Sequence, residues 1–321
     1  MGDPTRTAGF VIGAVLLALA CAIGLQPAQA GPAPKSNQLP AISVVSTPQP
    51  QAEEMAPPKK PRVYLFRGAL GPIFSTGMDR LAERLVAAGI WARVYEFTFC
   101  QFIAHNAIDD YREGGAPIVF IGHSMGGLCS LKASERLAEE HIPVSLVVTI
   151  DPAHASPDVP LNVERFMNIF LSTSVLGGGD IVAEPGFRGH YASFDMKDHS
   201  EVTHINIDKA DYIHSQLVNI ITQLPTVPAM SQGEPVPLRF VIPPQAPLEL
   251  WDSGAPLSAR PGDTLDKLAA AYRVPIWSLV QANNKLSESS PLVPGERIVI
   301  PRHLIPATTM SAQASSQPQP R

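Results

Sequence analysis

The sequence predicts an α/β fold: a largely parallel sheet with helices on both faces, plus a small separate βααβ unit. Three observations predict it. Short apolar strands at Arg62–Arg67, Ile118–Ile121 and Val144–Ile150 alternate with stretches whose apolar residues recur at helical spacing. A Gly-x-Ser-x-Gly run, Gly122-His123-Ser124-Met125-Gly126, joins one such strand to one such helix. A compact strand, helix, helix, strand pattern follows a proline-rich stretch near the C-terminus.

Composition narrows the class. With 321 residues and a net charge of −5, the chain can bury one large or two modest cores, and nothing in its charge points to nucleic acid. The N-terminus carries Arg6, an apolar run from Ala8 to Leu25, and Ala28-Gln29-Ala30, so residues 1–30 read as an export signal cleaved after Ala30. That run is short of the ~20 apolar residues a membrane span needs, so no stable transmembrane span is expected. An uncleaved anchor and lipidation at Cys21 are the alternatives. That signal implies export. Beyond the signal only Cys100 and Cys129 remain, and the sequence leaves their pairing open.

The 33 prolines concentrate outside the Ser124 region. Residues 31–60 and 225–255 read as proline-rich spacers and 303–321 as a disordered tail, because such segments offer little apolar surface to offset the entropy of ordering. The second spacer should be semi-extended, without a large interface across it. These boundaries leave a domain over 61–224 and a module over 256–302.

Within 61–224, Arg62–Arg67 is a strand followed by Gly68-Ala69-Leu70-Gly71, and a helix begins near Thr76, its hydroxyl a cap and Asp79 three residues on. Leu81, Leu85 and Val86 form its inner stripe. A strand at Ala92–Phe97 precedes the Ser124 unit, whose helix runs from Met125 to about Glu139. The region from Ser156 to Gly189, with a helical stretch at Val163–Leu171, reads as a small cap. An extended segment at Tyr191–Phe194, a loop over 195–203 and a helix at Asp208–Leu224, capped by Asp208 with Ile213, Leu217, Ile220 and Ile221 inward, complete the domain. In the module, Asp263 caps a helix bearing Leu265, Leu268, Ala269 and Tyr272, and a second short helix carries Ile276, Leu279 and Val280 inward.

The Ser124 turn has the form of a nucleophile elbow, in which the serine adopts strained φ/ψ and glycine is needed two residues either side. A serine hydroxyl is a weak nucleophile, so Ser124 needs a histidine base and the base a carboxylate. In parallel sheets of this kind the order is Ser, acid, His. Asp151 ends the next strand and is the acid expected, with Asp180 and Asp195 as substitutes. Of His190, His199, His204 and His214, His204 suits the base best, with His199 second; His123 is expected to pack against the helix. Oxyanion donors are expected at the Met125 and Ala69 N–H groups. No cofactor or metal site is marked.

On these motifs, 61–224 resembles the α/β-hydrolases of lipase and thioesterase type. Gly122 to Gly127 looks like the lipase signature, Arg67 to Gly71 like the oxyanion loop of bacterial lipases with arginine in place of histidine, and Asp151-Pro152-Ala153 like pancreatic-type lipases. Other lipases take the acid one strand later. The module resembles LysM through Pro261 to Leu265, Ala282-Asn283-Asn284 and Pro294 to Ile298. That resemblance implies binding of peptidoglycan or another N-acetylglucosamine polymer through Gly262, Asp263, Thr264, Leu265 and Asn284. Together they imply an exported serine hydrolase acting on an ester or thioester; the alternative is a non-catalytic wall-binding protein with a hydrolase-fold scaffold.

Overall fold

The computed structural model describes residues 58–226 and 235–302. The signal, all but the last three residues of the first spacer, and the tail lie outside them. Seven strands form one sheet in the order β2-β1-β3-β4-β5-β6-β7: β1 (Arg62–Arg67), β2 (Trp91–Glu96), β3 (Ile118–His123), β4 (Leu146–Ile150), β5 (Arg165–Phe170), β6 (His190–Asp195) and β7 (Leu238–Val241). Every adjacent pair is parallel. Both faces of a parallel sheet must be covered, and the two-residue period of the strands divides the core accordingly. Val63, Leu65, Val119 and Ile121 face one side, where α2 (Thr76–Ala87) and α5 (Asp211–Gln223) pack; Tyr64, Phe66, Ile118 and Phe120 face the other, under α3 (Cys100–Gly114) and α4 (Met125–Glu139). A disulfide between Cys100 and Cys129 joins α3 to α4.

Four local expectations change. The region read as a cap contains β5, fully buried in the sheet, where a helix was expected over Val163–Leu171. Its polar residues are paired across the sheet: the Asn168 amide donates to the Gly179 carbonyl and its Oδ1 accepts from Thr149 Oγ1. A short helix α1 (Gly71–Phe74) precedes α2, which starts after Ser75; neither Thr76 nor Asp79 caps it, since Asp79 is ion-paired to Arg67, and Val86 faces out. Asp208 lies in a 3-10 turn before α5 and accepts from the Gly77 N–H at 2.9 Å, which joins the α5 entry to the start of α2. In the module, Thr264 caps α6 (Leu265–Tyr272) by accepting from the Lys267 N–H, while Asp263 accepts from the Arg260 N–H at 2.7 Å.

The larger correction concerns 225–255. Where a free spacer was expected, Leu238–Val241 forms β7 and Trp251 is fully buried. Prolines do not prevent this because Pro235, Pro237, Pro243 and Pro244 flank an edge strand instead of interrupting it. The module proper is a two-stranded antiparallel sheet of β8 (Ser253–Ser258) and β9 (Arg297–Arg302) with α6 and α7 (Ile276–Ala282). It packs onto the β7 edge: Phe240 meets Trp251 at 5.0 Å and Trp277 at 5.9 Å between ring centroids, and the Gln281 amide bonds both the N–H and the carbonyl of Val241 at 2.8 and 2.7 Å. Asp252, buried before β8, accepts from His190 of β6 at 2.6 Å and lies beside Arg302 and Arg165. Leu279, Ile298 and Ile300 of the module thus share one apolar core with Leu217 and Ile220 of α5.

A shared core predicts shared unfolding. Trp251→Ala should cost ~3–5 kcal/mol, the range for emptying a large aromatic site. Calorimetry of the full chain should show one transition moved down as a whole, with no separate module transition left in place.

Candidate active site

Ser124 stands between β3 and α4 with φ 56° and ψ −122°, a conformation L-residues seldom adopt. Neighbouring backbone enforces it. A Cβ on Gly122 would collide with the Gly126 carbonyl, and one on Gly126 with the carbonyl of Phe66 in β1. The elbow is also anchored on β4, because the Ser124 N–H donates to the Ile150 carbonyl at 3.0 Å.

The structure brings Ser124, Asp151 and His204 together. His204 Nδ1–H donates to Asp151 Oδ2 at 2.7 Å, and its Nε2 lies 3.1 Å from Ser124 Oγ. With Nδ1 protonated toward the carboxylate, the Nε2 lone pair faces the hydroxyl. Asp151 is fully buried at φ 38°, and its other oxygen accepts from the Leu171 N–H at 3.0 Å, so both carboxylate oxygens are held. Gly177 leaves room for it, since a Cβ there would lie 2.7 Å from Asp151 Oδ2.

The substitutes are occupied elsewhere. Asp195 holds the loop after β5 through the Ser172 N–H and hydroxyl, and Asp180 pairs with Arg239. His199 donates its Nε2–H to the Pro243 carbonyl and pairs with Glu201 through Nδ1, His190 bonds Asp252, and His214 bonds the Asp208 carbonyl.

Residues not foreseen in the sequence brace this arrangement. His123, expected only to pack, is buried with both ring nitrogens engaged: Nε2–H donates to the His204 carbonyl at 2.8 Å, so Nδ1 accepts from Ser75 Oγ at 2.8 Å. Ser75 Oγ in turn accepts from the Gly68 N–H at 3.0 Å. One chain of hydrogen bonds thus runs from the loop after β1, through the start of α2 and the elbow, to the backbone of His204. Burial first, and then the neighbouring His204, lower the His123 pKa to about 4, so it stays neutral near pH 7 and keeps this pattern. Ser75 lies 48 positions from His123 in sequence, and no spacing rule links them.

The loop after β1 presses on the elbow: a Cβ on Gly68 would lie 2.8 Å from Ser124 Cβ. Ala69 follows it, exposed, and Leu70 is left-handed at φ 54°. Arg67 is clamped by Asp79 and by Glu96 at 2.5 Å. Met125 opens α4, where first-turn N–H groups lack helical partners. In the module, Gly262 (φ 84°), Thr264 and Asn284 are exposed, Asp263 is half-buried, and Leu265 is buried, so only its backbone can meet a ligand.

Residues 259–301 match the LysM domain family. A solved structure from Xanthomonas campestris pv. campestris, described as a "putative hydrolase of the alpha/beta superfamily", aligns with 51% of this chain and 95% of its own, at 15% identity and a TM-score of 0.31. No curated protein matches the chain. The α/β-hydrolase class rests on the sheet order and on the serine elbow after β3.

Asp208 gives a pH test of the brace between α2 and the His204 loop. Burial raises its pKa to about 6, and its Oδ1 has no hydrogen-bond partner. The folded state therefore holds the proton more tightly than the unfolded chain, and stability is lost as pH rises through about 4 to 6. Asp208→Asn should flatten that profile, shrinking the stability difference between pH 4.5 and 7.5 by about 2 kcal/mol in urea titrations.

Proposed function

We propose that this protein is an exported serine hydrolase that cleaves a carboxylic ester or thioester and is held at peptidoglycan by its LysM module. The observation that carries the proposal is the hydrogen-bonded series Asp151, His204, Ser124, at 2.7 and 3.1 Å. In this reading His204 Nε2 takes the Ser124 proton as Oγ attacks the carbonyl carbon, and the Met125 and Ala69 N–H groups receive the oxyanion. His204 then returns the proton to the departing alcohol or thiol, and water releases the acyl group by the same steps. Asp151 holds the imidazole tautomer and offsets the charge it acquires.

Two further features support parts of the proposal. The Cys100–Cys129 disulfide suits an oxidising compartment, hence export. The exposed Gly262 to Thr264 loop and Asn284 are where the LysM resemblance places glycan contacts. Against the non-catalytic reading stands the strain at Ser124, which a mere scaffold has no reason to keep.

A fluorophosphonate probe should label the protein at Ser124. Ser124→Ala should abolish labelling and lower p-nitrophenyl ester hydrolysis by roughly three to six orders of magnitude while the circular dichroism spectrum is unchanged, and His204→Asn should fall nearly as far. Labelling that persists in Ser124→Ala would refute the assignment.

A further inference from the structure

We infer that the ester cleaved is carried on the glycan that the LysM module holds: an acyl group esterified to a hydroxyl of an N-acetylglucosamine polymer. This rests on the serine-hydrolase reading above and adds the substrate class. A freely tethered module would raise the enzyme's concentration near the wall but could not choose which ester reaches Ser124. Here the module is part of the sheet edge, through Phe240, Trp251 and Trp277 and the paired Gln281 bonds to Val241. The separation between module and serine is therefore set by packing.

That separation is also bounded. Val241 ends β7 on the same sheet edge where β3 delivers His123 and Ser124. From β3 to β7 is four strand spacings, ~19 Å. Gln281 sits on Val241, and exposed Asn284 follows three residues later, within about 10 Å. With the length of the Gln281 side chain added, these steps bound the path from Ser124 to Asn284 at about 35 Å, a span that one glycan oligomer can bridge. The His204 loop lies between them and is tied to the module's side of the sheet, where His199 Nε2 bonds the Pro243 carbonyl at 3.0 Å.

Exposed apolar side chains stand on both sides of the serine: Val175, Leu176 and Ile205 in the loops after β5 and β6, and a second group on the side away from the module. Leu70 and Ile73 after β1, and Phe99 and Phe102 after β2, are 54–67% exposed. β1 and β2 lie across β3 from β7. An ester lying across the elbow would place its acyl chain on this second group and its sugar alcohol toward the module. Ser124 Oγ then forms the acyl bond, the sugar oxygen leaves with the proton from His204, and water frees the acid.

The test uses the full chain and a set of N-acetylglucosamine oligomers, one to eight units long, O-acylated at one end with the same acyl group as a p-nitrophenyl ester control. kcat/KM should rise at least about tenfold once the oligomer spans module and serine, as two-point binding requires. Unacylated oligomer should compete away that gain and leave p-nitrophenyl hydrolysis unchanged. The double variant Trp277→Ala, Gln281→Ala, which loosens docking, should keep p-nitrophenyl hydrolysis and sedimentation with peptidoglycan but lose the gain. A flat length series with p-nitrophenyl hydrolysis and Ser124 labelling intact overturns this inference alone. Absence of both hydrolysis and labelling overturns the serine-hydrolase reading and this inference with it. If the double variant folds and keeps the full gain, docking is not its source and the inference fails; if it does not fold, the wild-type length series and competition decide.

Discussion

The site depends on one steric constraint, the backbone crowding around Ser124. Gly122 lies against the Gly126 carbonyl and Gly126 against Phe66, so β1, β3 and α4 meet at a point where no side chain beyond hydrogen fits. That contact forces φ 56° on the serine and lifts its hydroxyl clear of the sheet. The strain costs of order 1–3 kcal/mol and is held by a buried parallel sheet whose strands are apolar on both faces. Asp151 at φ 38° repeats the device one strand over. Two adjacent strand ends are thus bent so that side chains from each converge on one imidazole.

His204 comes from a loop, and loops are ordinarily the least precise part of a fold. Here the imprecision is removed from several directions. Asp151 fixes the ring, His123 fixes the carbonyl of the same residue, and Asp208 ties the next turn to the start of α2. Because His123 is neutral near pH 7, its donor and acceptor roles do not exchange, and the loop after β1 and the His204 loop are registered against each other through a single ring. Ser75 serves both ends of this brace, accepting from Gly68 and donating to His123.

The strands around the serine were legible in the sequence because they are β-branched, unbroken and bounded by glycine, and the order Ser, acid, His pointed to Asp151 and His204 before their proximity was visible. What escaped were elements whose pattern is disguised. β5 reads as Arg-Phe-Met-Asn-Ile-Phe, and its two polar residues look like the exposed face of a helix until Asp252, Thr149 and Gly179 supply partners from distant parts of the chain. β7 is four residues among prolines, and only pairing with β6 identifies it as a strand. The Ser75 and His123 brace has no sequence pattern, since its members meet only after three separate elements have packed. Local periodicity carries information about single elements, and long-range polar pairing is what it omits.

The Gln281 contact has a consequence for solubility. A parallel sheet ends in strands whose outer N–H and carbonyl groups can recruit a strand from another molecule. At one end β2 is guarded by its own charges, Arg93 and Glu96. β7 (Leu238–Val241) carries one charge, Arg239, which is paired with Asp180, and ends on the apolar pair Phe240-Val241. The side-chain amide of Gln281 occupies the Val241 N–H and carbonyl as a mimic of a neighbouring strand, and the module's bulk covers the rest. The LysM module thus doubles as a cover for the sheet's own edge: stripped of it, the sheet would present an unpaired border, and the danger would be self-association.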